Sequence, residues 1–517
     1  MENNKYYKTL ATLAMAAMLM PNPATAQEIE NSPAALERMK SENLWGRASN
    51  AAGILLDNPV QYSVFDVSLN SVEGDFHRPQ QGEKGRILNF SAEGGVYVDR
   101  IYVWGSFEYR NDAVRGANFN SSIIDPFRGM PYYTADLNVS DWNNQLYNMQ
   151  FKTAIPLSNS LSIGLDGIYR VAQAAKQRDP RTLNMFYALD LKPGLVFSPA
   201  EEHRFGLNLE YGNLKENSSP SLVNVSDYQI YYELYGLGTA VENIGTGKTV
   251  NYTGDKLGGS LQYNFNRKAV NLFLSGGYSS RVEDAVFSFT TPERFGTVRE
   301  NGWNGNAVLN LTGNKVSHLL QAAYTYGNIN GIQYVKRNTT NQGWLILHSN
   351  VRSAYQNETA TLDYTFTANR GKEYKWKAGA GVYYMKKNDE YILPYSFKKA
   401  ENLMLNINGK ITAYRSDVLS RRLLLGAEAG YNMNLSGGYS YAGNHADYKI
   451  VTEMEQNDLN YLISDYYFLG CNAMYSQKVR DKDRANLYVK GALNYRKTAD
   501  FNFDHRSFLL ISIGCNY

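Results

Sequence analysis

From Phe65 to the C-terminus, apolar and polar residues alternate with a period of two in stretch after stretch. Phe65, Val67 and Leu69 alternate with Asp66, Ser68 and Asn70, and Leu88, Phe90 and Ala92 with Asn89, Ser91 and Glu93. After Val98-Asp99-Arg100 the chain turns directly into Val103, Gly105, Phe107 and Tyr109. Tyr147, Met149 and Phe151 then lead through Pro156 to Ser160 into Leu161, Ile163, Leu165, Gly167 and Tyr169. This pattern predicts strands with one apolar and one polar face. The last eleven residues, Ser507 to Tyr517, follow it to the end, with Leu509, Ile511, Ile513, Cys515 and Tyr517 on one face. A terminal strand this apolar needs a partner to cover its edge, and the first strand is the simplest one.

The turns set the strand number. Short ones fall at Val98–Arg100, Pro156–Ser160, Pro199–His203, Asn266–Lys268, Thr312–Lys315, Asn369–Lys372, Arg415–Ser420 and Lys478–Arg484. The longest connections between them are Asn111–Asn143, Leu214–Gly254, Tyr326–Glu358 and Leu435–Leu459. Tight turns that alternate with long loops are the layout of an outer-membrane barrel, short on the periplasmic side and long outside. Eight short turns join sixteen strands, and the first and last strands bring the prediction to about 18, with 16 as the alternative. The fold class is all-β, a transmembrane antiparallel β-barrel over residues 60–517, preceded by a short helical or plug segment at 27–59. In that segment Pro33 suits a first helical turn, ahead of Ala34, Leu36, Met39 and Leu44. Asp227 to Tyr235, D-Y-Q-I-Y-Y-E-L-Y, is expected to extend a hairpin beyond the membrane.

The N-terminus adds a location. Lys5 and Lys8, an apolar run from Leu10 to Met20, and Ala24-Thr25-Ala26 read as a cleaved signal peptide over residues 1–26. Gln27, not a cysteine, follows the cut, so no lipid anchor is expected. Beyond this leader no run of about eighteen apolar residues occurs, and mean hydropathy is -0.44, which excludes helical spans and leaves a barrel open. The expected location is the cell outer membrane. Forty-one tyrosines suit the two bilayer interfaces. A net charge of +3 argues against nucleic acid as a partner. Cys471 and Cys515 fall on lipid-facing positions of non-adjacent strands and are expected to be free thiols.

Two stretches are candidates for chemistry. The first is D-P-F-R-G-M-P-Y-Y-T-A-D, Asp125 to Asp136, in the first long loop. Phe127, Tyr132 and Tyr133 offer stacking surfaces beside the Arg128 fork, suited to a sugar or an anionic group. The structural alternative folds this loop inward as a constriction, with Arg128 paired to Asp125 or Asp136. The second is the lumen face, where Glu108, Lys152, Asp166, Arg170, Lys192, Glu210 and Lys410 point inward. The opposite register would place each midplane Lys or Arg in lipid at about 2 to 4 kcal/mol. Most of these residues are expected to form wall pairs, and some to line a solute path. No histidine sits in a metal or hydrolase motif, and Gly245-Thr246-Gly247-Lys248-Thr249 has Glu242 where a phosphate loop needs its first Gly. No catalytic residue, metal or cofactor is expected.

The terminal aromatic Tyr517 resembles the C-terminal signal of bacterial outer-membrane proteins, which implies the barrel-assembly machinery as a partner. Arg47 to Gly53, with Ser49, Asn50 and Gly53, resembles the N-P-A-G stretch of the long-chain fatty-acid transporter family, with Ala51 in place of the proline. That resemblance implies a hatch inside a barrel of fewer strands than are counted here. S-N-A-A-G, the D-P-F-R-G-M-P-Y-Y loop and the length together resemble an uncharacterised outer-membrane barrel family of Bacteroidota, which implies fold and location and no substrate. The expected function is a channel or transporter for a small, polar solute, with Ser49, Asn50 and Gly53 in the plug. The alternatives are a non-conducting receptor or accessory subunit of a larger envelope complex, a transporter of hydrophobic compounds, or a rim hydrolase built on His445 or His505. Outer-membrane lipid and other outer-membrane subunits complete the expected partners.

Overall fold

A computed structural model describes residues 32–288, 291–339, 343–480 and 485–517. The leader at 1–26, the first residues of the 27–59 segment, and 481–484 of the last short turn lie outside them. Period-two patterning produces strands β1 (Tyr62–Glu73), β2 (Lys84–Val98), β3 (Ile101–Ala117), β4 (Thr134–Asp136), β5 (Ser140–Pro156), β6 (Leu161–Lys176) and β7 (Arg181–Phe197). They are followed by β8 (His203–Ser221), β9 (Ile230–Gly236), β10 (Thr239–Ile244), β11 (Val250–Arg267), β12 (Val270–Phe287), β13 (Glu293–Thr312) and β14 (Val316–Thr339). The remainder are β15 (Gly343–Arg370), β16 (Glu373–Tyr391), β17 (Ser396–Ser416), β18 (Arg421–Ser440), β19 (Tyr466–Lys478), β20 (Asn486–Lys497) and β21 (His505–Asn516). Strands β4, β9 and β10 make a small sheet of three, and the other strands form one antiparallel sheet of 18.

The sheet closes on itself. β1 pairs with β2 on one side and with β21 on the other, from Val64 opposite Asn516 to Glu73 opposite Ser507. The terminal strand thus has the cover its edge required, and among the described residues no barrel strand is left at an edge. The expected count of 18 holds. Every short turn joins two barrel strands at the end where β1 begins and β21 finishes, the turn end, and the opposite end is the loop end.

The two faces differ as the register argument requires. Val67, Leu69, Leu88, Leu509, Ile511 and Ile513 point outward and are exposed. An apolar band of this extent on a protein surface marks contact with hydrocarbon. Aromatics border it, as where Phe366 stacks on Trp376 at 5.0 Å near the turn end and Tyr278 meets Trp303 at 4.6 Å nearer the loop end. Cys471 and Cys515 are free, Cys471 exposed on the outer face. Among the described residues no helix is long and apolar enough to cross a membrane.

The loop end departs from the expectation at three places. The stretch expected as a loop from Tyr326 to Glu358 is almost wholly strand, because β14 and β15 stay paired out to Thr339 and Gly343. Apolar residues there do not keep a period of two, as in the run Trp344-Leu345-Ile346-Leu347, so the alternation used to find strands is broken. The hairpin β9–β10 does not extend outward. It turns in, pairs with β4 through Thr134 opposite Glu233, and buries Tyr231, Tyr232 and Leu234. Between β18 and β19 the chain forms a helical turn, Ile450–Glu455, that continues into helix α2 (Gln456–Leu462).

Candidate functional site

The lumen carries two closures, one at each end. At the loop end, the β3–β5 connection, the β9–β10 hairpin and the helical turn before α2 fold into the barrel mouth. They share an apolar core with the wall: Tyr132, Tyr133, Leu234, Ile450 and Met454 pack with Tyr252, Phe287, Phe295 and Tyr355. Tyr132 lies between Tyr235 at 6.3 Å and Phe295 at 5.7 Å. Gly296 gives it room, since a Cβ there would come within 2.4 Å of the Tyr132 ring.

The first candidate loop is therefore structural at its aromatics. Tyr132 is 0% and Tyr133 7% exposed, so both rings pack inside the closure and not on the open lumen. The Arg128 guanidinium does not pair with Asp125 or Asp136. Its Nη2 lies 2.8 Å from Glu283 Oε1 and 3.2 Å from Glu216 Oε2, two buried wall carboxylates. Buried carboxylates need a paired cation, and β8 and β12 present theirs on either side of β11. Asp136 pairs with Lys176 in an equally buried contact. Asp125 accepts from the backbone N–H of Phe127 at 2.9 Å, a short-range turn contact. Phe127 is the exception, since its ring faces the Arg78 guanidinium at 3.8 Å.

Arg78 belongs to a second buried network that the sequence pattern did not reveal. Its Nη2 donates to Asp458 Oδ2 at 3.0 Å, and Lys398 Nζ donates to the same carboxylate at 2.7 Å and also contacts Glu455. The β1–β2 loop, α2 and the β17 wall are joined at this point. Burial acts to raise the Asp458 carboxyl, but Lys398 and Arg78 outweigh it and hold it well below the usual carboxylate range. Beneath the network lies a small cavity of about 80 Å³, bordered by Phe127, Tyr133, Lys387, Asp389 and Lys398.

The closure at the turn end is the N-terminal segment. Helix α1 (Pro33–Glu42) starts at Ser32, whose hydroxyl accepts from the Ala35 N–H at 3.2 Å. A 3-10 turn follows at Ala51–Asp57, with the Asn50 side chain as its cap. Both lie against the lumen wall. Glu37 accepts from Lys410 Nζ at 2.7 Å and from the Tyr374 hydroxyl at 2.9 Å, and contacts Lys377. Burial acts to raise the Glu37 carboxyl, and the two ammonium groups outweigh it, bringing it to about 2. Lys40 pairs with Glu93 on β2. Trp45 donates to Asn264 Oδ1 at 3.2 Å and sets its ring edge against Phe273 at 5.0 Å.

Asn50 makes the densest contacts of the segment. Its amide donates to Leu195 O at 3.0 Å, Leu207 O at 3.2 Å and Gln262 Oε1 at 3.0 Å, while its own oxygen accepts from the Ala52 N–H. Ser49 donates to Asn208 Oδ1 at 3.1 Å. Gly53 packs under the Trp45 ring, where a Cβ would fall 2.0 Å from a ring carbon. Asp57 accepts from the Gly46 N–H at 2.7 Å, and burial still pushes its carboxyl up to about 7. A gap of about 100 Å³, lined by Glu37, Ser41, Asn310, Ser317, Thr365 and Lys377, remains between α1 and the wall.

The lumen candidates divide between wall and segment. Lys152 donates to Gly46 O and Ala48 O at 2.8 Å each, with Asp166 at 3.9 Å, so this pair helps seat the segment, as does Lys410. Arg170 pairs with Asp190 at 2.9 Å, and Glu210 with Lys256 at 2.9 Å and Lys192 at 3.6 Å, as wall residues above it. Glu108 shares the inner face, opposite Ser91 and Asn148. A groove of about 720 Å³ bordered by Tyr263, Leu274, Gly276, Gly305 and Ala322 opens on the lipid face, away from these groups. His445 stacks on Tyr448 at 4.6 Å, and His505 lies 2.8 Å from Asp504, which Lys497 also contacts. Among the described residues no group of three or more His, Cys, Asp or Glu is placed to hold a metal ion.

Comparison with known proteins gives a family. The chain belongs to the Family of unknown function (DUF6850), whose model matches residues 51–517. No curated protein matches it in sequence. Among solved structures it is similar to the FrpB iron transporter from Neisseria meningitidis, at 9% identity and a TM-score of 0.45, over 90% of this chain and 83% of that one. It is also similar to BauA, the ferric preacinetobactin receptor from Acinetobacter baumannii, at 11% identity and a TM-score of 0.42, over 88% and 80%. A third is the outer membrane transporter YddB from Escherichia coli, at 8% identity and a TM-score of 0.40, over 88% and 81%.

Proposed function

We propose that this barrel is an outer-membrane transport protein that passes a small polar solute through a lumen closed at both ends, with residues 32–58 as the removable inner closure. One observation carries the reading. The inner closure is a short segment held to the wall by small apolar clusters around Trp45 and Ile54 and by polar contacts such as Glu37 with Lys410 and Asn50 with Gln262, each of which water can replace once the segment leaves. A wall lined by Arg170–Asp190 and Lys192–Glu210 pairs offers polar surface to such a solute. The second reading, a receptor whose outer loops form a fixed surface, is favoured by the apolar core that locks those loops together.

Single-channel conductance of the refolded protein in a planar bilayer separates the two. With the outer closure still in place, a chain lacking 27–58 is expected to show small open steps through the path that closure leaves, several-fold more often than the mature chain. If neither form conducts while heat-modifiable migration shows a folded barrel, transport is overturned and the receptor reading stands.

A further inference from the structure

The lumen wall formed by β19, β20 and β21 carries positive charge that the protein itself does not neutralise. On the inner face of β20, Arg496 stands directly across from Arg506 of β21 on one side and from Phe468 of β19 on the other. Like charges facing each other across a strand pair oppose folding, so such a pair is retained against a cost. Among the described residues no carboxylate makes an ion pair with Arg496, with Arg506, or with Lys490 lower on the same face. The acidic side chains nearest this stretch are otherwise engaged, Asp75 with the Asp504 and His505 backbone N–H groups at 3.0 and 2.9 Å and Asp500 with the Asp465 N–H at 2.7 Å, as are two further along the wall. Glu428 accepts from the Asn494 amide at 2.9 Å, and Asp66 accepts from the Tyr488 hydroxyl at 2.9 Å.

The two guanidinium groups are held differently. Arg506 is buried and donates to Gly74 O at 3.2 Å and Gly82 O at 3.1 Å, which fixes it without cancelling its charge. Arg496 is half-buried, and its guanidinium carbon lies 5.1 Å from the Phe508 ring and 5.9 Å from the Tyr466 ring. Those rings are themselves braced, since Tyr466 packs on Phe76 at 5.3 Å. A planar fork held between ring faces, with its N–H groups free of any carboxylate, has the geometry that receives a carboxylate in two parallel hydrogen bonds. The neighbouring Phe468 and Phe508 offer apolar faces to a ring attached to that carboxylate.

We infer that Arg496, flanked by Phe468 and Phe508 and supported by the charge of Arg506, forms a lumen site for a small aromatic carboxylate. The inference deepens the transport reading by naming a solute class for the same lumen, and binding in detergent is measured without a membrane, so either can fail alone. The anion relieves the repulsion between the two arginines and its ring covers the aromatic wall.

The test is calorimetric titration of the refolded full mature protein in detergent at low ionic strength, with benzoate, benzamide and acetate as probes. Benzoate is expected to bind and the other two to bind at least about tenfold more weakly, since each lacks one half of the match. Arg496→Gln is expected to weaken benzoate roughly tenfold to a hundredfold, and Phe508→Leu roughly threefold to tenfold. Heat-modifiable migration of each variant confirms that its barrel is closed, and Arg496→Lys, which keeps the charge and loses the fork, is expected to fall between wild type and Arg496→Gln. Equal benzoate affinity in the wild type and a folded Arg496→Gln, or no benzoate binding by the wild type, overturns the site. So does equal binding of benzoate and acetate, which reduces the wall to a general anion surface. Conductance without benzoate binding leaves transport in place and removes this site, and binding without conductance does the reverse.

Discussion

The two closures of the lumen differ in how their contacts are grouped, one continuous apolar core at the loop end against small separate clusters and polar contacts at the turn end. The one at the loop end is an apolar core with buried charge pairs, in which Tyr132, Phe287 and Phe295 are almost fully enclosed and Arg128 meets Glu216 and Glu283 away from water. The one at the turn end is a short segment held by hydrogen bonds and half-buried ion pairs together with small separate apolar clusters, in which Leu44, Trp45 and Ala52 pack on Phe273 and Ile54 packs on Tyr102. An apolar core opens only by exposing all of its surface together. Polar contacts exchange one by one with water. If one closure moves while the barrel stays folded, this contrast assigns the motion to the inner one.

The strongest challenge to the contrast is to remove the cation at the centre of the outer closure. Arg128→Met leaves Glu216 and Glu283 facing each other in a buried site, and is expected to cost about 3 to 5 kcal/mol. The readout is protease cleavage within residues 118–139 of the folded barrel, expected to rise strongly over wild type. An outer loop that stays resistant in this variant would mean that the apolar core alone holds it. The companion variant Tyr132→Ala, expected to cost about 3 to 5 kcal/mol through lost packing, then decides whether the core does so.

The barrel was legible in the sequence because its strands must show lipid one face and water the other. Leu509, Ile511 and Ile513 announced the lipid face, and the spacing of short turns gave the strand number. The outer closure was not legible, and the reason lies in distance along the chain. Arg128 finds its partners on β8 and β12, and Asp458 finds Lys398 and Arg78, pairings that nothing local to any of these residues signals. Tyr132 and Tyr133 illustrate a second limit. An aromatic beside an arginine in a Pro- and Gly-rich loop has the same local sequence whether its ring meets a ligand or a protein core. Ser49 and Asn50 were singled out by resemblance, and their contacts with Asn208 and Gln262 show what that short stretch does: it satisfies backbone and side-chain groups of the wall.

A smaller effect is expected at the inner closure from Glu37→Gln. The substitution removes the charge that Lys377 and Lys410 share, and these partly exposed contacts are worth about 1 to 2 kcal/mol to docking after allowance for solvent screening. Open steps in bilayer recordings are expected to become several-fold more frequent, and trypsin to cleave after Lys40 or Arg47 more readily. An unchanged open frequency would show that Trp45 and Asn50 hold the segment without help from Glu37, and would shift the contrast toward two fixed closures.

The mildest probe is pH, where two carboxyls of the inner segment act with opposite sign. Glu37, ordinarily near 4.5, is lowered to about 2 when docked, so its contribution is complete above pH 4.5 and is lost as pH falls toward 2. Asp57, ordinarily near 3.8, is raised by burial to about 7, so its protonated form favours docking below 3.8 and that contribution is lost as pH rises through 7. Docking should then be firmest between these limits, near pH 4 to 5, and open steps should become more frequent on either side, by at most about tenfold per pH unit for one proton. Asp57→Asn is expected to flatten the rise toward neutral pH and Glu37→Gln to remove the acid limb. A wild-type open frequency that stays level from pH 4.5 to 8 would mean that Asp57 does not change its surroundings when the pore opens, and that the 3-10 turn at Ala51–Asp57 stays on the wall while only α1 departs.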